Sequence, residues 1–225
     1  MMPLETGIPM KTALQPFQFV TASYLIRVDS QTATNLDELR QGLEHSSDES
    51  IFHHTFRSLG RYHFLTEGFS NDFAQWVLTA LHRAALAEQL AGLDIRDYPS
   101  LAKLRCDLQR LVTEYCESHP AEARQSAFEP FYFSESVGVT VPLGVEAGSL
   151  AEFRDALTRV SHDTFYHHFI ASRLRLHLGT NDFSHWFTTD LGAPDLARRV
   201  NRIDIYTNTL DTAREELIEL ADGEL

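Results

Sequence analysis

The feature that most constrains this chain is its similarity to itself. Phe17, Phe19, Leu36, Glu38, Leu43, His53, His54, Ser58, Arg61 and His63 recur 114 positions later. Their counterparts are Phe131, Phe133, Leu150, Glu152, Leu157, His167, His168, Ser172, Arg175 and His177. Pro16 and Pro130 precede the two Phe pairs. Four residues are then missing from the second copy, after which Asn71, Asp72, Phe73 and Trp76 match Asn181, Asp182, Phe183 and Trp186. Both tryptophans of the protein therefore fall at one equivalent position. Ordered matches at a nearly fixed offset define a repeat of roughly 110 residues.

This pattern predicts two tandem homologous helical units, residues 16–122 and 123–225, after a flexible tail of residues 1–15. The expected fold class is mostly α, with a short extended element in each repeat and a pseudo-twofold arrangement of the two units. The extended elements are Phe17–Val28 and Phe131–Val141, rich in β-branched and aromatic residues. A short helix follows each, opened by Asn35-x-x-Glu38 and Ser149-x-x-Glu152, which have the spacing of a capping box. A longer helix carries the histidines, over about residues 48–65 and 163–178. Another opens at Asn71 or Asn181, with its Phe and Trp three apart on one face. Leucines at 101, 104, 108 and 111 give the last helix of the first repeat an apolar stripe.

The net charge of −13 excludes a dominant basic surface, and both repeats are acidic. Nucleic acid and anionic membrane are therefore not expected partners, because both need clustered Lys and Arg. Residues 1–15 contain no continuous apolar run, so neither a signal peptide nor a membrane span is expected there. Cys106 and Cys116 lie on one predicted helix, about 15 Å apart along its axis. That is too far for a disulfide, and reduced thiols fit a cytoplasmic protein.

Three groups of residues could carry chemistry. His54, Ser58 and Arg61 line one stripe of a helix, and His168, Ser172 and Arg175 repeat it. Such a stripe could bind a phosphate or carboxylate through the planar fork of Arg. It could equally form an internal network, with Arg61 pairing Asp72 and Arg175 pairing Asp182. The second group is His53, His54, His63 and Asp72 as metal ligands. Adjacent histidines on an α-helix diverge by about 100°, and helical metal signatures use i, i+3 or i, i+4 pairs, so no metal is expected. The third is Asn-Asp-Phe-x-x-Trp, which reads as a helix cap followed by two core anchors.

No Gly-rich phosphate loop, Gly-x-Ser-x-Gly elbow or paired-cysteine zinc motif occurs. No nucleophile with a positioned base can be named, so the catalytic residues are unknown and no cofactor is expected.

Thr164-Phe-Tyr-His-His168, Asn181-Asp182-Phe183-x-x-Trp186 and Leu143-Gly-Val-x-Ala147 resemble the domain of unknown function family 5752. Ser50-Ile-Phe-His-His54, His63-Phe64 and Asn71-Asp72-Phe73-Ala74-x-Trp76-Val77 carry the same resemblance in the first repeat. The resemblance implies two tandem copies of that family and transfers no catalytic residue. The resulting expectation is a non-catalytic interaction or regulatory module with a protein partner. The alternative is an enzyme or sensor for a small anionic metabolite, bound by His54, Ser58, Arg61 and Asp72 or by His168, Ser172, Arg175 and Asp182.

Overall fold

A computed structural model describes residues 12–57, 69, 71–94, 97–175, 179–204 and 208–225. Two long strands organise the described chain. β1 runs over Thr12–Ala33 and β2 over Phe131–Ser149, and they pair as a two-stranded antiparallel sheet. The strands are 22 and 19 residues long. This corrects the expected fold class: the protein is mixed α/β, not mostly α with short extended elements. β2 continues beyond the expected end at Val141, through Pro142 and Gly144. In a two-stranded sheet every strand is an edge, where Pro is tolerated. Gly144 adopts φ +68°, a conformation that costs glycine little.

The described fold divides into two compact units that are not contiguous in sequence. Unit 1 comprises residues 1–22, 140–172 and 180–225, and unit 2 comprises residues 23–139 and 173–179. The chain thus changes unit within each strand. The expected pair of tandem helical units, each contiguous in sequence, is therefore not the architecture. The first segment of β1 joins the helices that follow β2.

In unit 2, α1 (Leu36–His45) begins with the capping box that its sequence predicts. Asn35 accepts a bond from the Glu38 N–H at 2.9 Å, and Glu38 reaches back to the Thr34 N–H at 2.7 Å. The Thr34 N–H and the Thr34 hydroxyl, both donating to it, hold the Glu38 carboxyl below its usual range. α2 (Asp48–Phe52) runs directly into a π-helical turn at His53–Arg57. α3 (Asp72–Thr79) is capped by Asn71, whose side chain accepts from the Ala74 N–H at 2.8 Å. α4 (Ala84–Ala91) and α5 (Leu101–Ser118) complete the core, and α6 (Pro120–Ala123) follows. α5 buries Leu101, Leu104 and Leu108 as expected, then Val112 rather than Leu111.

Unit 1 uses the same local devices. Ser149 caps α7 (Leu150–Leu157), and Glu152 reaches back to the Gly148 N–H at 2.7 Å. α8 (His162–Tyr166) leads into a second π-helical turn at His167–Ala171, followed by α9 (Ser172–Arg175). Asn181 caps α10 (Asp182–Thr189). α11 (Pro194–Asn201) and α12 (Leu210–Asp222) close the unit. No helix among the described residues is long and apolar enough to cross a membrane.

Candidate functional site

Each unit contains one slot that holds a strand segment from a distant part of the chain. In unit 1 the segment is Leu14–Val20, and in unit 2 it is Phe128–Ser134. The Leu14 N–H donates to the Asp190 carbonyl at 2.9 Å, and the Phe128 N–H donates to the Ala80 carbonyl at 2.9 Å. The indole N–H of Trp186 donates to the Gln15 carbonyl at 2.7 Å, and that of Trp76 to the Glu129 carbonyl at 2.8 Å. Both carbonyls belong to the residue before the proline.

Two phenyl rings then enter each core. Phe17 lies against Phe19, His168, Phe183 and Trp186, with ring centroids 4.8–5.7 Å apart. Phe131 meets Phe133, His54, Phe73 and Trp76 at 4.7–5.7 Å. Phe19 and Phe133 are almost wholly buried. Burial of one such ring stabilises by about 1.5–3 kcal/mol. The unit 1 core is the more aromatic, because Phe153 and Phe187 stand where unit 2 has Leu39 and Val77.

The histidines close the slot. The N–H of Val20 donates to His168 Nε2 at 3.0 Å, and the N–H of Ser134 donates to His54 Nε2 at 2.9 Å. On the other side of each ring, His168 Nδ1 lies 2.8 Å from Asp182 Oδ2 and His54 Nδ1 lies 2.9 Å from Asp72 Oδ2. A backbone N–H can only donate, so Nε2 presents its lone pair. The ring proton therefore sits on Nδ1 and is donated to the carboxylate. Carboxylate, imidazole and strand N–H form one chain of hydrogen bonds in each unit.

The π-helical turns bear on the geometry. An ideal α-helix turns adjacent side chains well apart, yet the rings of His53 and His54 are 4.9 Å apart, and those of His167 and His168 are 5.0 Å apart. His53 Nδ1 lies 2.9 Å from the Ser136 hydroxyl. This overturns the spacing argument against a metal. Ligand-type atoms of His53, His54 and Asp72 lie within 4.8 Å of one another, as do those of His167, His168 and Asp182.

Hydrogen-bond polarity argues against a metal instead. A ligating histidine donates its other ring N–H to an acceptor. Were His54 Nδ1 to bind a metal, Nε2 would carry the proton and face the Ser134 N–H, donor against donor. The same conflict arises at His168 and Val20.

Of the residues expected in an anion-binding stripe, His54, Asp72, His168 and Asp182 come together, but as strand-holding pairs. Ser172 donates to the His168 carbonyl at 2.5 Å and accepts from the Asp182 N–H at 3.2 Å, so it ties α9 to α10. Ser58 and Arg61 lie outside the described residues, as does the side chain of Arg175. The expected Arg61–Asp72 and Arg175–Asp182 pairs therefore fall there too. The sequence reading missed Trp76, Trp186 and the two Pro-Phe-x-Phe segments as parts of one site. Their shared offset was the available signal.

A mixed α/β fold with two His–Asp strand slots is thus the class of protein defined here. The chain belongs to the Family of unknown function (DUF5752), whose model matches residues 14–222. One match takes in both slots, and it does not show the two expected tandem family copies. The chain is similar to OrfY from Thermoproteus tenax, at 28% identity and a TM-score of 0.82. That likeness covers 94% of this chain and 96% of OrfY. No curated protein matches the chain.

Proposed function

We propose that this protein is a non-catalytic interaction module that binds a protein partner through its exposed β-ribbon. The observation that carries this reading lies in unit 2. There Leu25, Ile26 and Val28 of β1 and Val137 and Val139 of β2 are exposed, Leu25 to 65% and Val28 to 58%. Exposed apolar side chains clustered on both strands of a ribbon are a feature of interaction sites. Edge strands also offer unpaired N–H and C=O groups for strand addition. The buried His54 and His168, each backed by a half-buried carboxylate, Asp72 or Asp182, support the non-catalytic part of the reading, since the described histidine bonds hold strands. The proposed setting is the cytoplasm, where Cys106 and Cys116 stay reduced.

Affinity capture from the native cell, followed by mass spectrometry, tests the reading. Wild-type bait is expected to retain a specific protein that a Val28→Lys/Val139→Lys bait loses. Equal recovery by both baits, or turnover of a metabolite by the purified protein, would overturn it.

A further inference from the structure

The two slots hold their segments by the same contacts although the segments come from distant places. From Leu14 to Val20 the chain reads Leu-Gln-Pro-Phe-Gln-Phe-Val, and from Phe128 to Ser134 it reads Phe-Glu-Pro-Phe-Tyr-Phe-Ser. What the slots touch is shared: three backbone groups and two phenyl rings. Three of the four differing pairs are exposed, Leu14 with Phe128, Gln15 with Glu129 and Gln18 with Tyr132; at the fourth, the half-buried Val20 and the buried Ser134 are both held by their backbone N–H. The slot therefore reads an extended Pro-Phe-x-Phe backbone and ignores the side chains between. This is recognition by main-chain bonds plus alternate side-chain anchors.

We propose that the unit 1 slot is a binding site for extended Pro-Phe-x-Phe peptides, and that its intermolecular ligand is residues 12–22 of a second copy of this chain. The partner follows from the chemistry, because this chain itself carries the motif twice. The segment belongs to unit 1 as far as Ala22, and the chain passes into unit 2 at Ser23. The same residues delivered by another copy would make every contact that they make here. Exchange of an identical element is a low-cost route to a dimer.

Binding of a fluorescein-labelled peptide of residues 12–22 to the full-length Phe17→Ala/Phe19→Ala variant tests this. In that variant the resident segment competes weakly, while Trp186, His168 and Asp190 are retained. Saturable binding is expected. It should weaken about tenfold when His168→Ala is added, since one hydrogen bond to Val20 is lost. An unlabelled peptide of residues 127–137 should compete. Absence of saturable binding by a variant shown to be folded by circular dichroism overturns the proposal, and failure of the second peptide to compete does so as well.

If the variant does not fold, ¹⁵N-labelled and unlabelled wild-type chains are unfolded, mixed, refolded at high concentration and weighed by native mass spectrometry. Mixed-isotope dimers are expected in the wild type, and a photoreactive residue in place of the exposed Gln18 should cross-link one chain's segment to unit 1 of the other isotope. Monomers alone overturn the proposal, and so do dimers in which position 18 cross-links only within its own chain.

Discussion

Trp186 donates its indole N–H to the carbonyl oxygen of Gln15 across 171 residues of chain. Trp76 makes the same bond to Glu129, 53 residues away. Each bond fixes the start of a strand whose two Phe side chains then complete a core. Each core is thus completed by a strand segment delivered from a distant part of the chain, through Phe17 in unit 1 and Phe131 in unit 2.

The His–Asp pairs are expected to act as coupled parts of this docking. His168→Ala removes one hydrogen bond from the Val20 N–H and one from the Asp182 carboxylate, and should cost about 1–3 kcal/mol. Urea unfolding of His168→Ala, Asp182→Ala and the double variant should give a coupling energy of about 0.5–3 kcal/mol. Additive losses would show that the two residues act independently.

Adding a divalent metal should not stabilise the protein. Its ring nitrogens would have to reverse the polarity of the Val20–His168 and Ser134–His54 bonds. A metal at 100 times its Kd would add about 2.7 kcal/mol if it bound only the folded state. An unchanged Tm with added zinc or manganese is the expected result of differential scanning calorimetry. A clear rise would mean that the histidines release the strands.

Gly42 faces the ring of Phe133 so closely that an added Cβ would overlap it. Phe133 is fully buried and has little room to retreat. Gly42→Ala should therefore destabilise by about 1–3 kcal/mol, the usual effect of overpacking. Unit 1 has Ala156 at the matching position, so the reverse change, Ala156→Gly, should not relieve any clash. Thermal unfolding of both variants separates these outcomes.

His82 is exposed and adopts φ +57°, and Gly192 at the equivalent turn adopts φ +63°. A side chain in the left-handed region costs roughly 1–2 kcal/mol. Glycine avoids that strain but loses more chain entropy on folding. His82→Gly is expected to raise stability by up to about 1 kcal/mol. A lower urea midpoint would show that the His82 side chain makes a compensating contact.

The two thiols should differ in reactivity. Burial, reinforced by the nearby Asp37 carboxylate, pushes the Cys116 thiol up to about 11, whereas Cys106 is exposed. Only the thiolate attacks an alkylating agent. At pH 8, iodoacetamide should label Cys106 first and reach Cys116 only on unfolding. Peptide mapping over time checks the order, and equal rates would contradict the burial.

The helix starts at Asn35, Asn71, Ser149 and Asn181 could be read from the sequence because each cap bonds a backbone N–H three residues away. The aromatic anchors Phe73, Phe183, Trp76 and Trp186 were equally legible as core residues. Which core Phe17 and Phe131 enter was not. Tertiary structure alone decided that Phe17 joins Phe153 and Phe183, and that Phe131 joins Phe73. The bonds that choose the partner involve the backbone of Gln15, Val20, Glu129 and Ser134, and every non-proline residue carries the same N–H and C=O. The lengths of β1 and β2 were hidden for a like reason, since their ladder bonds form between residues more than a hundred positions apart. The roles of His54 and His168 depended on both facts: the sequence placed each histidine on a helix, and only the arriving strand determined what its ring nitrogen would hold.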